Sequence, residues 1–153
     1  MSMAQDAGLH LTGLEQLQAM AAAGRKAPIG QLLGFTLVEI EEGRAVFEGN
    51  PGEEVYNPIG TVHGGYAATL LDSACGIAVH SKLAAGQGYT TLELKVAYHK
   101  AMTAQTGTVR AEGKVVSFGR RAAFAEARLT DAAGRLLASA TSSLLVISPQ
   151  RGA

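Results

Sequence analysis

The chain has 153 residues, which is enough for one domain with a hydrophobic core and too few for two. Thirteen lysines and arginines balance thirteen aspartates and glutamates, so no basic excess indicates nucleic-acid binding and no acidic tract indicates a solvated tail. A single cysteine, Cys75, excludes an internal disulfide, no signal peptide is recognisable, and no apolar run reaches the roughly 20 residues of a membrane span. We therefore expect a cytoplasmic protein.

The first third of the chain predicts two short helices and a hairpin. Thr12 and Glu15 have the spacing of a capping box, and apolar residues then recur at helical intervals. Pro28 is a suitable first residue for a second, shorter helix. Residues 35–40 and 45–47 flank a turn and predict a β-hairpin. The first few and last few residues of the chain look disordered.

The middle of the chain holds the longest apolar element and a single acid. From His63 the sequence can remain helical to about Leu83, and Asp72 is the one acid between residues 57 and 79. A helix that is apolar on nearly every side belongs inside a protein, where an ionised carboxylate is costly unless something uses or satisfies it. Asp72 is therefore the first candidate for chemistry.

Beyond this helix the apolar period changes to two, which indicates strands. Every second residue from Leu92 to Tyr98 is apolar, so this alternation places Thr91 on the opposite face of its strand. Three further strands are predicted, over residues 109–115, 122–129 and 136–147. These elements indicate an α+β fold, an antiparallel sheet with helices on one face. Because the long helix is apolar all round, the sheet must curl around it or a second subunit must cover it.

The start of the long helix is suited to binding a carbonyl or an oxyanion. Its first turn has free backbone N–H groups, and Gly64 and Gly65 let a ligand approach them without a Cβ in the way. Gly65 and Asp72 lie on one face, roughly 10 Å apart along the axis. One small reacting group cannot touch both, so the two can serve the same carbonyl only if they come from different chains.

Several motifs together resemble a known enzyme family. Asn57, the sequence VHGG at residues 62–65, Asp72 seven residues after Gly65, and YTTLELKVAYHKA at residues 89–101 are similar to the hotdog-fold acyl-CoA thioesterases of the PaaI-like, 4-hydroxybenzoyl-CoA thioesterase type. The resemblance implies a long central helix wrapped by a curved antiparallel β-sheet. It also implies dimers that often pair into tetramers, with active sites at the dimer interface, and hydrolysis of an acyl-CoA thioester without a metal.

The resemblance also assigns roles to individual residues. Asp72 would be the catalytic carboxylate, either as general base or as nucleophile, and Gly65 would donate its backbone N–H to the thioester oxygen. Asn57 and His63 match positions that orient water, the carbonyl or the loop. Thr91 matches a hydroxyl that helps to place the water, although its face of the strand reaches the site only if the strand begins at the subunit seam. From the residues alone, two other roles stay open. Asp72 is then a buried polar group whose hydrogen bonds are satisfied, and His63 is then a helix cap.

Coenzyme A is part of the expected substrate, so no separate cofactor is predicted. Its phosphates favour arginine, lysine and backbone N–H groups. The predicted contacts to substrate and coenzyme A are Gly64, Thr90, Ser117, Gly119, Arg120, Arg121, Lys82 and Lys100.

The four histidines have no metal-ligand spacing with Cys75, and a thiol inside an apolar helix is generally a small core residue rather than a nucleophile.

The resemblance covers about residues 28–147 and divides the chain. We expect a thioesterase domain over residues 28–148, an N-terminal extension with a short helix over 1–27 and a tail over 149–153. The expected substrate is an aryl-, phenylacetyl- or short/medium-chain acyl-CoA. The expected partner is a second copy of the chain, with further pairing into a dimer of dimers. Two alternatives stay open, a non-catalytic acyl-CoA-binding protein and an enoyl-CoA hydratase or dehydratase on the same fold.

Overall fold

The structure is a computed structural model that describes residues 8–149. The predicted disorder of the chain ends lies outside the described residues. The helices are α1 (Gly13–Ala22), α2 (Pro28–Leu33) and α3 (Gly64–His80). The strands are β1 (Phe35–Glu41), β2 (Arg44–Gly49), β3 (Gly88–Tyr98), β4 (Val109–Phe118), β5 (Ala122–Asp131) and β6 (Leu136–Ile147). All the predicted helices and strands are therefore found.

Capping residues set the start of α1 and the end of α2. The capping box of α1 is formed, because Thr12 Oγ1 accepts the Glu15 N–H and the Glu15 carboxylate accepts the Thr12 N–H. Helix α2 ends at Gly34, whose φ of 69° is the left-handed conformation that glycine adopts without strain. Helix α1 is tied to the end of α3, since Gly13 N donates to Leu83 O at 2.9 Å.

The six strands form one antiparallel sheet in the order β1-β2-β4-β5-β6-β3. Helix α3 packs across the sheet and buries Leu70 and Leu71 against it. The helix and β4 approach closely, because a Cβ at Gly113 would lie 2.3 Å from Ala74 O. A long helix held by a curved antiparallel sheet is the hotdog architecture, so the predicted fold class is confirmed.

Helix α3 ends three residues before the predicted end at Leu83. Ser81 Oγ donates to Ala78 O at 2.7 Å and accepts the N–H of Gly43, in the β1–β2 turn, at 2.7 Å. A serine hydroxyl that donates to a helix carbonyl and accepts from a distant backbone N–H favours the end of the helix at this point. The C-terminal end of α3 is thereby attached to the first hairpin.

A β-bulge in β3 overturns the predicted facing of its residues. Thr91 pairs with Leu144 of β6, but the next pair is Glu93 with Ser143, so Leu92 is an extra residue in the ladder. Leu92 is 64% exposed, whereas Leu94 and Val96 are half-buried toward α3. The prediction that Leu92 faces inward and Thr91 outward is therefore wrong, because the bulge reverses the alternation at this point.

Candidate active site

Thr91 and Asp72 meet in a cleft between β3 and α3. Thr91 Oγ1 donates a hydrogen bond to Asp72 Oδ1 at 3.1 Å, and both side chains are half-buried in the single chain. The bulge at Leu92 turns the Thr91 hydroxyl toward the helix. Thr91 therefore reaches the carboxylate within one chain, although the alternation of the sequence places its side chain on the opposite face.

The cleft beside this pair has a volume of about 620 Å³ and is called the Thr91 cleft below. Its walls combine side chains from α1, from the end of α3 and from β3, including Gln16, His80, Tyr89 and Thr91. Apolar residues such as Leu83 complete it. Thr91 lines this cleft and bonds Asp72, so the candidate carboxylate lies one side chain away from a space large enough for a small organic group.

The first turn of α3 is capped by a side chain. His63 Nδ1 accepts the backbone N–H of Gly65 at 2.8 Å, and both residues are exposed. A Cβ at Gly65 would lie 2.9 Å from that nitrogen, so glycine is what allows the imidazole to approach. The N–H that the resemblance assigns to the thioester oxygen is therefore bonded to His63 in this structure.

A second cavity, of about 480 Å³, lies at this helix start and is lined by residues 61–65 and 98–102. Tyr98 Oη donates to Gly64 O at 2.8 Å and holds the end of β3 against the helix. Within one protomer, Gly65 and Asp72 are separated by seven residues of helix, roughly 10 Å of axial rise. The structure places the two predicted catalytic groups on one helix without bringing them together in one chain.

Asn57 shapes the loop that precedes the helix. Its Oδ1 accepts the backbone N–H groups of Ile59 and Thr61, and its Nδ2 donates to Thr61 Oγ1 at 3.0 Å. These bonds use both ends of the amide within the loop. Asn57 therefore fixes the loop that leads into His63.

The predicted coenzyme A contacts fall into groups at opposite ends of α3. The β4–β5 turn contains exposed Arg120 and Arg121, and Lys82 lies nearby, with Nζ 6.0 Å from the ring centre of Phe118. Gly119 belongs to the same turn and Ser117 lies near the end of β4, whereas Lys100 and Gly64 line the cavity at the helix start. Thr90 is exposed on β3. Lys82 also forms an ion pair with Glu42 at 2.9 Å.

A buried polar pair in the Thr91 cleft is not predicted from the sequence. His80 Nε2 lies 3.0 Å from Gln16 Oε1, and Gln16 Nε2 donates to the carbonyls of Gly8 and Leu11. Because the amide nitrogen is used in this way, Oε1 is the acceptor and His80 Nε2 carries the proton. Burial lowers the pKa of His80, which keeps the ring neutral near pH 7. The four-residue spacing of Asp72, Gly76 and His80 is the signal that could have placed His80 on the Asp72 face.

Cys75 is buried inside α3, and burial raises the pKa of its thiol to about 12, with the Asp72 charge as a second cause. The thiol is therefore protonated at neutral pH, which fits the predicted core role.

Among residues 8–149, no group of three or more histidine, cysteine, aspartate or glutamate side chains could hold a metal ion. No helix in this part of the chain is long and apolar enough to cross a membrane.

Comparison with known proteins places the chain in a family. The family model described as the thioesterase superfamily matches residues 59–138, more than half of the chain. A Saccharolobus solfataricus protein named as an esterase is 30% identical over 134 residues, 87% of this chain and 94% of that protein. The 1,4-dihydroxy-2-naphthoyl-CoA hydrolase of Listeria monocytogenes is 29% identical over 107 residues, 70% of this chain and 85% of the relative.

Solved structures agree with this assignment. A variant of the phenylacetic acid degradation protein PaaI from Thermus thermophilus is 27% identical, with a TM-score of 0.71 over 78% of this chain and 98% of that one. The resemblance drawn from the sequence is therefore confirmed. The chain belongs to the thioesterase superfamily and is a hotdog-fold thioester hydrolase of the PaaI-like type.

Proposed function

We propose that this protein hydrolyses acyl-CoA thioesters to a free acid and coenzyme A, with Asp72 as the catalytic carboxylate. The observation that carries the proposal is the hydrogen bond from Thr91 to Asp72 Oδ1 beside the Thr91 cleft. This bond fixes the carboxylate and leaves Oδ2 available to a water molecule. The CoA thioester named for the Listeria relative supports this substrate class.

The proposed reaction follows from these groups. Asp72 takes a proton from water as the water oxygen bonds to the thioester carbonyl carbon. The carbonyl oxygen becomes an oxyanion and accepts the Gly65 N–H once His63 has released it. The intermediate then collapses, the carbon–sulfur bond breaks, and the coenzyme A thiolate recovers the proton from Asp72. The alternative, direct attack by Asp72 and hydrolysis of the resulting anhydride, gives the same products.

The site is proposed to be shared between two protomers. Strand β3 is an edge strand, and within the described residues nothing pairs with its outer edge. It runs antiparallel to α3, because Thr91 bonds Asp72 near the strand's start and Tyr98 bonds Gly64 at its end. Pairing two β3 strands antiparallel about a two-fold axis near their middle sets the start of one beside the end of the other. Asp72 then faces Gly65 of the partner subunit.

We further propose aryl or phenylacetyl groups ahead of short and medium chains as the acyl class, and a dimer of dimers as the assembly. The relatives support the first choice, since one is named for a naphthoyl thioester and another for phenylacetic acid degradation. Arg120 and Arg121, with Lys82 beside them, are proposed to receive the coenzyme A phosphates.

A panel of acyl-CoA thioesters, assayed for thiol release, tests the proposal. Asp72→Asn and Asp72→Ala should lower kcat by roughly 100-fold or more. Circular dichroism and light scattering should show unchanged folding and association. Glu126→Gln is the matched control, because it makes the same change from acid to amide at an exposed position of β5. Thiol release at the wild-type rate by both Asp72 variants would refute the mechanism.

Two further assays separate the alternatives. Enoyl-CoA hydration measured beside thiol release identifies a hydratase, which would need a histidine and a carboxylate facing the acyl chain. Tight acyl-CoA binding without any product across the panel identifies a non-catalytic binding protein.

A further inference from the structure

Tyr89 places a phenol hydroxyl on the helix face that carries Asp72. Asp72, Gly76 and His80 are spaced by four residues and form one stripe along α3. Thr91 bonds the first of these residues. The ring of Tyr89 covers the second and lies edge-on to the third, with 5.6 Å between the ring centres of Tyr89 and His80. Thr91 and Tyr89 therefore contact successive turns of α3 along this stripe.

Gly76 makes room for the Tyr89 hydroxyl. A Cβ at Gly76 would lie 3.0 Å from Tyr89 Oη and 3.2 Å from its Cε2, tighter than ordinary contacts between side chains. Glycine in a helix interior is less favourable than alanine. The helix therefore carries a locally unfavourable residue at the position where the hydroxyl sits.

Within the described residues, no group forms a hydrogen bond with Tyr89 Oη. The hydroxyls of Tyr56 and Tyr98, by contrast, are bonded to Ala104 N and Gly64 O. Burial raises the pKa of Tyr89 to about 12, and the charge of Asp72 contributes to the increase. The hydroxyl is thus a protonated donor near the carboxylate, and it is free to donate to a molecule bound in the cleft.

The acyl half of a substrate fits this part of the Thr91 cleft better than the coenzyme A half. The walls of this cleft, which Tyr89 also lines, include the buried side chains of Gln16, His80 and Leu83. None of the described residues that line the cleft is a lysine or an arginine, whereas the phosphates of coenzyme A favour such cations, so these walls suit the acyl group better. One helical turn, about 5.4 Å, separates Asp72 from Gly76 along the axis. An acyl group whose carbonyl carbon lies at Asp72 therefore brings its β carbon close to Tyr89.

We infer that Tyr89 is a specificity-determining residue whose hydroxyl donates a hydrogen bond to an oxygen on the β carbon of the acyl group. The favoured substrates are then β-oxygenated acyl thioesters, such as 2-hydroxyaroyl or 3-hydroxyacyl groups. This inference rests on the proposed function, because it takes Asp72 as the group that faces the thioester.

The experiment compares matched thioesters that differ by one oxygen. The kcat/KM values for 2-hydroxybenzoyl-CoA and benzoyl-CoA are measured in the wild type and in Tyr89→Phe, which removes only the hydroxyl. Loss of one hydrogen bond should lower the ratio of the two values by roughly 3- to 10-fold. Gly76→Ala, whose methyl group displaces the hydroxyl, should lower the ratio in the same direction. Tyr66→Phe is the matched control, since that buried hydroxyl lies over Gly49 of β2 and also lacks a partner.

The outcomes separate this inference from the proposed function. A lower ratio in Tyr89→Phe and Gly76→Ala, with an unchanged ratio in Tyr66→Phe, supports it. An equal fall in kcat/KM for both substrates, or no fall for either, overturns the inference and leaves the thioesterase proposal intact. If Tyr89→Phe does not fold, Gly76→Ala decides the question alone. A wild-type protein that hydrolyses no acyl-CoA in the panel overturns the proposed function and this inference together.

Discussion

His63 Nδ1 accepts the Gly65 N–H at 2.8 Å, and this is the donor that the proposed mechanism gives to the thioester oxygen. The same hydrogen thus stabilises the start of α3 in the free protein and the oxyanion during hydrolysis. Substrate binding at this point must displace the imidazole. The helix cap and the oxyanion site are alternative uses of one backbone group.

Removal of the cap should destabilise the protein by a predictable amount. His63→Ala should lower the free energy of unfolding by about 1 kcal/mol, because the Gly65 N–H loses its side-chain acceptor. His63→Asn should recover most of the loss, since asparagine is a favoured N-cap residue. Urea denaturation monitored by circular dichroism measures both variants. An alanine variant as stable as the wild type would show that the bond contributes nothing in solution.

The Thr91 hydroxyl should contribute to turnover through Asp72. Thr91→Val keeps the shape of the side chain and removes the hydrogen bond to Oδ1, so kcat should fall roughly tenfold. Thr141→Val makes the same chemical change at an exposed position of β6 and should leave kcat within twofold of the wild-type value, about the error of a rate comparison. Equal kcat values for the two variants would remove Thr91 from the mechanism.

Mixing two inactive variants tests whether the site is shared. Asp72→Ala lacks the carboxylate, and Gly65→Pro lacks the N–H at a first-turn position where helices tolerate proline. Hybrid dimers hold one site with both native groups if those groups come from different protomers. Refolding an equal mixture should then recover about a quarter of wild-type activity, because half the dimers are hybrids with one good site of two. A mixture as inactive as its components would contradict the shared site.

Acid should remove the stability that comes from Asp131. The Arg135 backbone N–H donates to Asp131 Oδ1 at 3.0 Å and is the main reason that the pKa of this carboxyl lies below its ordinary value of 3.8. The folded protein therefore binds this proton less readily than the unfolded chain does. The stabilisation is present above about pH 4 and is lost as the pH falls through the folded value. Urea midpoints of the wild type and Asp131→Asn should accordingly differ at pH 6 and converge below about pH 4.

Local signals predicted most of the fold and part of the site. The capping box at Thr12, the glycine end of α2 and the helix bearing Asp72 depend on neighbouring residues, so the sequence alone shows them. The facing of Thr91 depends on where β6 pairs with β3, which a period-of-two pattern does not contain. The Gln16–His80 pair joins residues 64 apart in the chain and arises only when α1 packs against α3.

The extra residue at Leu92 has a consequence for protein engineering. Deleting it would restore regular alternation, and every residue from Gly88 to Thr91 would rotate to the other side of the ribbon. The net charge and the acid on α3 would be untouched, yet the carboxylate would lose its bond from Thr91. A designer who moves this strand into a related scaffold must therefore keep the extra residue, because it decides which face of the strand the threonine hydroxyl occupies.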